Sequence, residues 1–364
     1  MKVRSRWPRV VSALELFVGL TAPVAGTVAA EDQMQPMLRF QPVVFDDPMA
    51  GGIAAVSVLV PQGWEASGGI EWLPAWSRVA QVHTYVTDAA SGIAIAWLPI
   101  QDFMYFRPPE GFDVPIGGNY QGKAFVPPIG DPAEFVRAFW MPTVLGHLAG
   151  AELVSSREES LAADALLSGY GGSADAGAWV LRYAYTRDGE PWEQDVGFAL
   201  LWTSASGITS WYVNLAYTVS GPAGSLDPHH ATIATILASR ATTDEWEATY
   251  RLVQRLFYQG IQQQMADTVA FGELLAQYRA ESQALQAEVS AERWASQDRI
   301  AQQRRDILGG VENYLDPLSG RVVQLPTGWN SYWVNQQGEY LAVEDGALDP
   351  SVLETEGWRL LRPQ

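Results

Sequence analysis

Between Pro228 and Pro317 the chain runs for 88 residues without a proline, although it holds 22 in all. Proline removes a backbone donor and clashes with the preceding helical turn, so a proline-free run of this length leaves room for a long helix. Thr242 followed by Glu245 has the spacing of a capping box, and Asp244, Glu245 and Glu247 put negative charge at the positive end of the helix dipole. Trp246, Tyr250, Val253, Phe257, Ile261 and Met265 then recur in steps of three and four. After Val269 the spacing resumes through Leu275, Tyr278, Leu285 and Val289, and Arg304, Arg305 and Gly309-Gly310 supply the stop. The pattern predicts one bent rod over 242–310, ahead of a helical pair; unbroken, about 65 residues would reach roughly 100 Å. Gly260 and Gly272 are its weak points. Aromatics crowd the stripe as far as Phe271 and thin out beyond it. The first half therefore reads as packing for the preceding domain. The second half, within 243–309, reads as a coiled-coil surface for oligomerisation or an unknown protein partner.

At the other end of the chain, Lys2, Arg4, Arg6 and Arg9 precede an apolar run from Val10 to Ala30, and Val28-Ala29-Ala30 offers small residues before Glu31. This is the pattern of a secretory signal peptide over residues 1–30; Glu15 inside the apolar run leaves an uncleaved anchor as the other reading. The expected location is periplasmic or secreted, in a bacterium. No later stretch is long and apolar enough to span a bilayer. The chain has no cysteine, so stability in an oxidising compartment must come from packing. Loss of residues 1–30 removes four basic residues and one acidic one, taking the net charge from −18 to −21. Such acidity disfavours nucleic acid and anionic lipid as partners.

Taken in order, residues 31–50 read as a polar lead-in. Strand-like runs follow at 53–60, 69–73, 79–87 and 93–98, with turn residues at Asp88–Gly92. Residues 99–132 hold seven prolines and five glycines among scattered aromatics, the composition of a loop packed over a sheet or lidding a groove. Asp131-Pro132 opens a helix whose apolar face is Phe135, Phe139, Trp140 and Leu145. Three long strands are expected at 178–186, 192–203 and 208–218. In the last, Trp211, Val213, Leu215 and Tyr217 alternate with polar or small residues and are expected to share one face. Asp227-Pro228 opens a second helix through Arg240. The fold class is thus α+β: an antiparallel α/β sandwich over 51–241, a long helical segment over 242–310, and a small antiparallel β region over 311–364.

Val60-Pro61-Gln62-Gly63-Trp64, the late long strands and Leu237-Ala238-Ser239-Arg240 resemble the PsbP-like α/β sandwich, over about residues 50–240. That resemblance implies an accessory or binding role without catalysis. Gly310-Val311-Glu312-Asn313-Tyr314, Asp316-Pro317, Leu325-Pro326, Trp333-Val334-Asn335 and Gly338-Glu339-Tyr340 are similar to the tail of a group of uncharacterised bacterial exported proteins, a likeness that implies no activity. Leu325-Pro326-Thr327-Gly328-Trp329, Tyr332–Asn335 and Trp358 resemble a WW domain, which would imply a groove for Pro-rich peptides.

Chemistry is sparse. No Gly-x-Ser-x-Gly elbow, His-Glu-x-x-His, phosphate loop or dinucleotide fingerprint is present. Four histidines and no cysteine leave no metal ligand set, since His229-His230 are adjacent and diverge on a helix. No catalytic residue and no cofactor is assigned. The candidate binding residues are aromatic: Trp329, Tyr332, Trp333 and Tyr340 in the C-terminal region, with Trp64 and Trp72 near turns, where flat rings suit peptides or sugars. The sequence reads as an exported, non-catalytic binding or scaffold protein for a protein or an envelope polymer. The alternative is an envelope-polymer hydrolase with its site beneath the 99–132 loop, which requires a carboxylate pair there.

Overall fold

The computed structural model describes residues 37–73, 76–159, 174–259, 280–292 and 309–364, with isolated positions 163, 167, 273 and 278. The expected signal peptide, residues 1–30, lies outside them. The chain is of the α+β class and rich in strand. The stretch read as a lead-in contains the strand that joins its two ends, β1 (Met37–Asp47). Phe40 to Asp47 pairs with β2 (Ile53–Pro61), while Met37 to Phe40 pairs with a strand from the far end of the chain, Tyr340–Val343. Pro42 masks β1 in the sequence, because proline cannot donate to a ladder. It is tolerated because the pairing with the far strand stops at Phe40.

The second sheet carries the remaining early strands: β3 (Glu65–Trp72), β4 (Ala80–Thr87), β5 (Ala94–Trp97), β6 (Asp102–Phe106), β7 (Asn119–Tyr120), β8 (Lys123–Phe125) and β9 (Glu152–Glu158). Its centre is the meander β10 (Ala174–Arg187), β11 (Glu190–Ala205) and β12 (Ile208–Pro222). The order is β3-β4-β5-β12-β11-β10-β9, with β6 replacing β5 beside the first part of β12. Asp188-Gly189 and Ser206-Gly207 turn the two long hairpins with positive φ at both residues, the geometry that matches strand twist.

The alternation expected along β12 does not hold through its length. Leu215 is an extra residue between Asn214 and Ala216, whose partners Ala199 and Phe198 are adjacent, and it sits at φ 57°. A bulge moves every later side chain to the other face. Trp211 and Val213 therefore pack with Phe135 and Trp140 on one side, whereas Tyr217 and Val219 pack with Val58, Val60 and Ile95 on the other. The bulge falls where the outer neighbour of β12 changes from β6 to β5. Just past it, Tyr217 lies over Gly197, where a β-carbon would overlap the ring.

The first core lies between the sheets and is closed by helix α2, the 230–239 helix, α1 being the short helix Pro132–Phe135; Ile233, Ile236 and Leu237 enter it, and residues 233–238 are buried in succession. β13 (Ala241–Thr242) then adds to the free side of β2. The 244–258 helix, α3, follows. Its cap is Thr243, whose hydroxyl accepts from the Trp246 N–H at 3.2 Å, one residue later than the capping box predicts.

The expected rod is not found. Residues 280–292 are helical but run back along α3. Asp244 accepts from the Ser290 hydroxyl at 2.8 Å, and Arg255 pairs with Glu281. Leu285 and Val289, expected to face a partner, are buried against Leu252, Val253, Leu256 and Phe257. The stripe thus closes on itself: both halves present apolar residues at helical spacing, and packing them together removes them from water within one chain. Ile261, Met265, Val269, Leu275 and residues 293–308 lie outside the described residues.

The C-terminal region comprises β14 (Val311–Leu315), β15 (Val322–Pro326), β16 (Ser331–Val334), β17 (Tyr340–Val343), β18 (Arg359–Leu360), β19 (Arg362–Pro363) and a short helix over 350–355. β17 is the strand that pairs with β1, and β16 and β18 extend that sheet outward.

One carboxylate ties these parts together. Asp47, fully buried at the end of β1, accepts from the backbone N–H of Met49 (3.0 Å) and Ala50 (3.2 Å) through one oxygen. Its other oxygen accepts from the indole N–H groups of Trp72 (2.9 Å) and Trp246 (2.8 Å), so β1, β3 and α3 meet on a single side chain. Asp47→Ala would leave buried donors without an acceptor and is expected to destabilise the protein by roughly 3–5 kcal/mol. The measurement is urea denaturation with an unchanged slope; a shift below about 0.5 kcal/mol would show that water replaces the carboxylate.

Candidate functional site

Polar and aromatic side chains from four distant parts of the chain converge beside the root of the Pro-rich segment. Arg78 lies just before β4, Asp102 opens β6, Tyr212 stands opposite Asp102 in the ladder, and Tyr250, Gln254 and Tyr258 follow at intervals of four along α3. Arg78 Nη2 donates to Asp102 Oδ1 at 2.8 Å, the Ser77 hydroxyl donates to Oδ2 at 3.1 Å, and Gln254 Nε2 donates to the Ser77 carbonyl at 3.1 Å. Arg78 Nε is buried and has no hydrogen-bond partner among the described residues. Burial works against the Arg78 charge, but the Asp102 carboxylate outweighs it and the guanidinium pKa is raised. Burial pushes the Tyr250 hydroxyl up to about 12, with Arg78 opposing and Asp102 adding. Tyr258 is 62% exposed. The group therefore offers water a tyrosine ring, a partly covered ion pair and an amide. Both Asp102 oxygens already accept a hydrogen bond, a geometry suited to holding and recognising hydroxyl groups.

The Pro-rich segment itself covers aromatic residues. Phe103 stacks on Trp211 with centroids 4.0 Å apart, and the Trp211 indole donates to the Val126 carbonyl at 3.0 Å. Phe106, Phe112, Tyr120 and Phe125 pack edge to face above them. Gly122, at φ 79°, lets this segment meet α3, since a β-carbon there would overlap Phe257 and the backbone of Ser77.

Two surface clefts stand apart from this junction. The first, about 540 Å³, lies between the 132–140 helical segment and β9 and includes Arg137, Met141 and Tyr183. The second, about 610 Å³, lies at the start of β1 and includes Arg39, Gln62, Leu341 and Trp358. There Arg39 pairs with Glu339 at 2.5 Å and stands 5.6 Å from the Trp358 ring centre. Hydrogen bonding from Arg39, opposed by partial burial and helped by Asn335, holds the Glu339 carboxyl below its usual pKa.

The aromatic residues singled out in the sequence are placed in several cores. Tyr332 is buried and donates to the Pro326 carbonyl; Trp333 is buried beside Trp358, with its indole donating to Ser331 Oγ at 3.1 Å. Tyr340 is half-buried and donates to Asp316 at 3.0 Å. Trp329 and Trp64 lean on the first core, and Trp72 is held by Asp47. Trp333 and Trp358 pack together with Leu341, Val343 and Leu353 in a core of the C-terminal region. Arg78 and Asp102 escaped notice because they are single residues 24 apart, joined only by the sheet. The spacing of Tyr250, Gln254 and Tyr258 was visible, but it reads equally as core. His83 pairs with Glu71, His147 with Gln194 and His229 with the Ser225 carbonyl. Among the described residues no group of three or more His, Cys, Asp or Glu is placed to hold a metal ion, and no helix is long and apolar enough to cross a membrane.

No family profile matches this sequence, and no curated protein is similar to it. Among solved structures it is similar to the solution structure of cyanobacterial PsbP (CyanoP) from Synechocystis sp. PCC 6803. The two are 10% identical, the match covers 61% of this chain and 99% of that one, and the TM-score is 0.18. At that score the likeness says nothing of what this chain does.

The second cleft has a checkable pH dependence. A carboxyl whose folded pKa is depressed stabilises the protein above its unfolded value, and that contribution is lost as pH falls through the folded one. Glu339→Gln is expected to cost about 1 kcal/mol or less at pH 7, because Arg39 is half in water. The difference should shrink as pH falls below the usual carboxylate range and Glu339 takes up its proton, as read by denaturant midpoints of the two proteins at each pH.

Proposed function

We propose that this chain is an exported, non-catalytic binding or scaffold protein, and that the Arg78–Asp102 junction is the surface it offers to a neutral polymer of the bacterial envelope. The observation that carries this is the convergence of an exposed tyrosine with a partly covered ion pair from four separate segments. A sugar ring presents an apolar face and a rim of hydroxyls. Tyr258 supplies the flat apolar partner, while Arg78, Asp102 and Gln254 supply donors and acceptors at its edge. Other polar clusters are structural: Asp47 joins strands to α3, and Arg182 forks onto Asp195 at 2.6 and 2.8 Å while holding Asp227 at 2.8 Å. The hydrolase reading needs a carboxylate pair beneath the Pro-rich segment, and the residues described there are aromatic.

The test is calorimetric titration of the mature protein with the hexamer of N-acetylglucosamine. Saturable binding is expected, weakened about tenfold by Tyr258→Ala, whose side chain lies in water and whose loss spares the fold. Binding untouched by that change would move the site elsewhere. Release of new reducing ends, abolished by Asp102→Asn, would overturn the non-catalytic reading.

A further inference from the structure

We propose that the polymer is bound through the interior of its chain, extended along one face of β6 and β12 from Tyr258 to Ile208. Given that the Arg78–Asp102 junction is a surface for a neutral polymer, on which this rests, the ligands are long chains rather than chain ends or short fragments.

The ladder sets the face. β6 and β12 pair antiparallel, with Tyr212 opposite Asp102, Ser210 opposite Met104 and Ile208 opposite Phe106. Residues two apart along a strand, and partners across a ladder, share one face of a sheet. These three rungs therefore lie on the face that carries the Asp102 carboxylate, and the bulge at Leu215 comes only after them. On the other side of β12, Thr203 of β11 stands opposite Ser210 and joins the same face. From Tyr212 to Ile208 the strand advances about 14 Å, more than a disaccharide covers.

The side chains along this face alternate in character as a sugar chain does. Tyr258 gives a flat apolar ring at one end, and Phe106 and Ile208 give an apolar rung at the other, with Ile208 42% exposed. Phe106 is held there by Phe112, Tyr120 and Phe125 of the Pro-rich segment. Between the ends stand groups that hold hydroxyls: the Arg78–Asp102 pair, Tyr212, Thr203 and Ser210, all half-buried. Met104 is buried, which leaves the middle rung to Thr203 and Ser210. Sugar rings carry apolar faces and hydroxyl rims, so one chain meets both kinds of partner in turn. Both ends are open to water, since Ser204 to Ile208 are exposed around the hairpin tip and Tyr258 is exposed on α3, so a chain can run past either.

Calorimetric titration with the trimer and the hexamer of N-acetylglucosamine reads the length of the site. The wild-type protein is expected to bind the hexamer at least about tenfold more tightly than the trimer, which fills only the junction end. A longer chain also offers a short site more registers, so a variant at the far end decides. Ile208→Ala should weaken the hexamer about threefold to tenfold and so narrow the gap, the trimer being too short to reach it. Its side chain is already partly in water, and a cooperative urea transition in the variant checks that the fold is kept. Tyr258→Ala should weaken both sugars. A gap that Ile208→Ala leaves intact, or no gap in wild type, would overturn the extended site while the junction still binds. No saturable binding of either sugar would remove the junction reading and the extended site together.

Discussion

The buried carboxylate of Asp47 is the point on which the arrangement of this protein turns. It ends the strand that both chain ends share, and it is the acceptor for two tryptophans that are far apart in sequence. A carboxylate is stable out of water only when its lone pairs are occupied, and here two backbone and two indole donors occupy them. The geometry therefore demands that β1, the turn after it, β3 and α3 be in place together. Because α3 is held in this way, its outer face is fixed against Ser77 and the root of the Pro-rich segment, and the Arg78–Asp102 junction forms as a consequence.

Local departures from regular structure do comparable work elsewhere. Leu215 in a left-handed conformation costs about 1–2 kcal/mol for a residue that is not glycine. In return one strand serves two cores, with Trp211 and Val213 facing the π-helix side and Tyr217 and Val219 facing the inter-sheet side. A straight β12 would have directed Tyr217 and Val219 to the same face as Trp211. The π-helix at 136–140 similarly keeps Phe135, Val136 and Trp140 in the core while turning Arg137 outward.

Much of the local structure was legible. Gly-containing turns between long alternating runs announced the β10–β12 meander, and Asp131-Pro132 announced a helix start that the structure bears out. The acidic first turn of α3 was equally plain, though its cap is Thr243 rather than Thr242. β1 was missed because Pro42 interrupts its alternation, and only the pairing of the far strand shows why a proline is harmless there. The stripe after Trp246 was read with the right residues but the wrong geometry. Periodicity specifies which face of a helix is apolar and does not say whether that face meets a sheet, another chain or its own continuation.

What the sequence determined by itself was composition-level and local. It set the absence of disulfides, the acidity, the positions of most strands and caps, and the silence of known catalytic motifs. Each of these depends on residues adjacent or a few positions apart. The tertiary structure decided what depends on distance: that Met37–Phe40 pairs with Tyr340–Val343, that the helical stripe folds back on itself, and that Arg78 meets Asp102. Those outcomes rest on burying apolar faces and satisfying charged groups across long separations in sequence. No local pattern encodes them, because the same stripe, arginine or strand edge is satisfied equally well by many partners until the whole core is assembled.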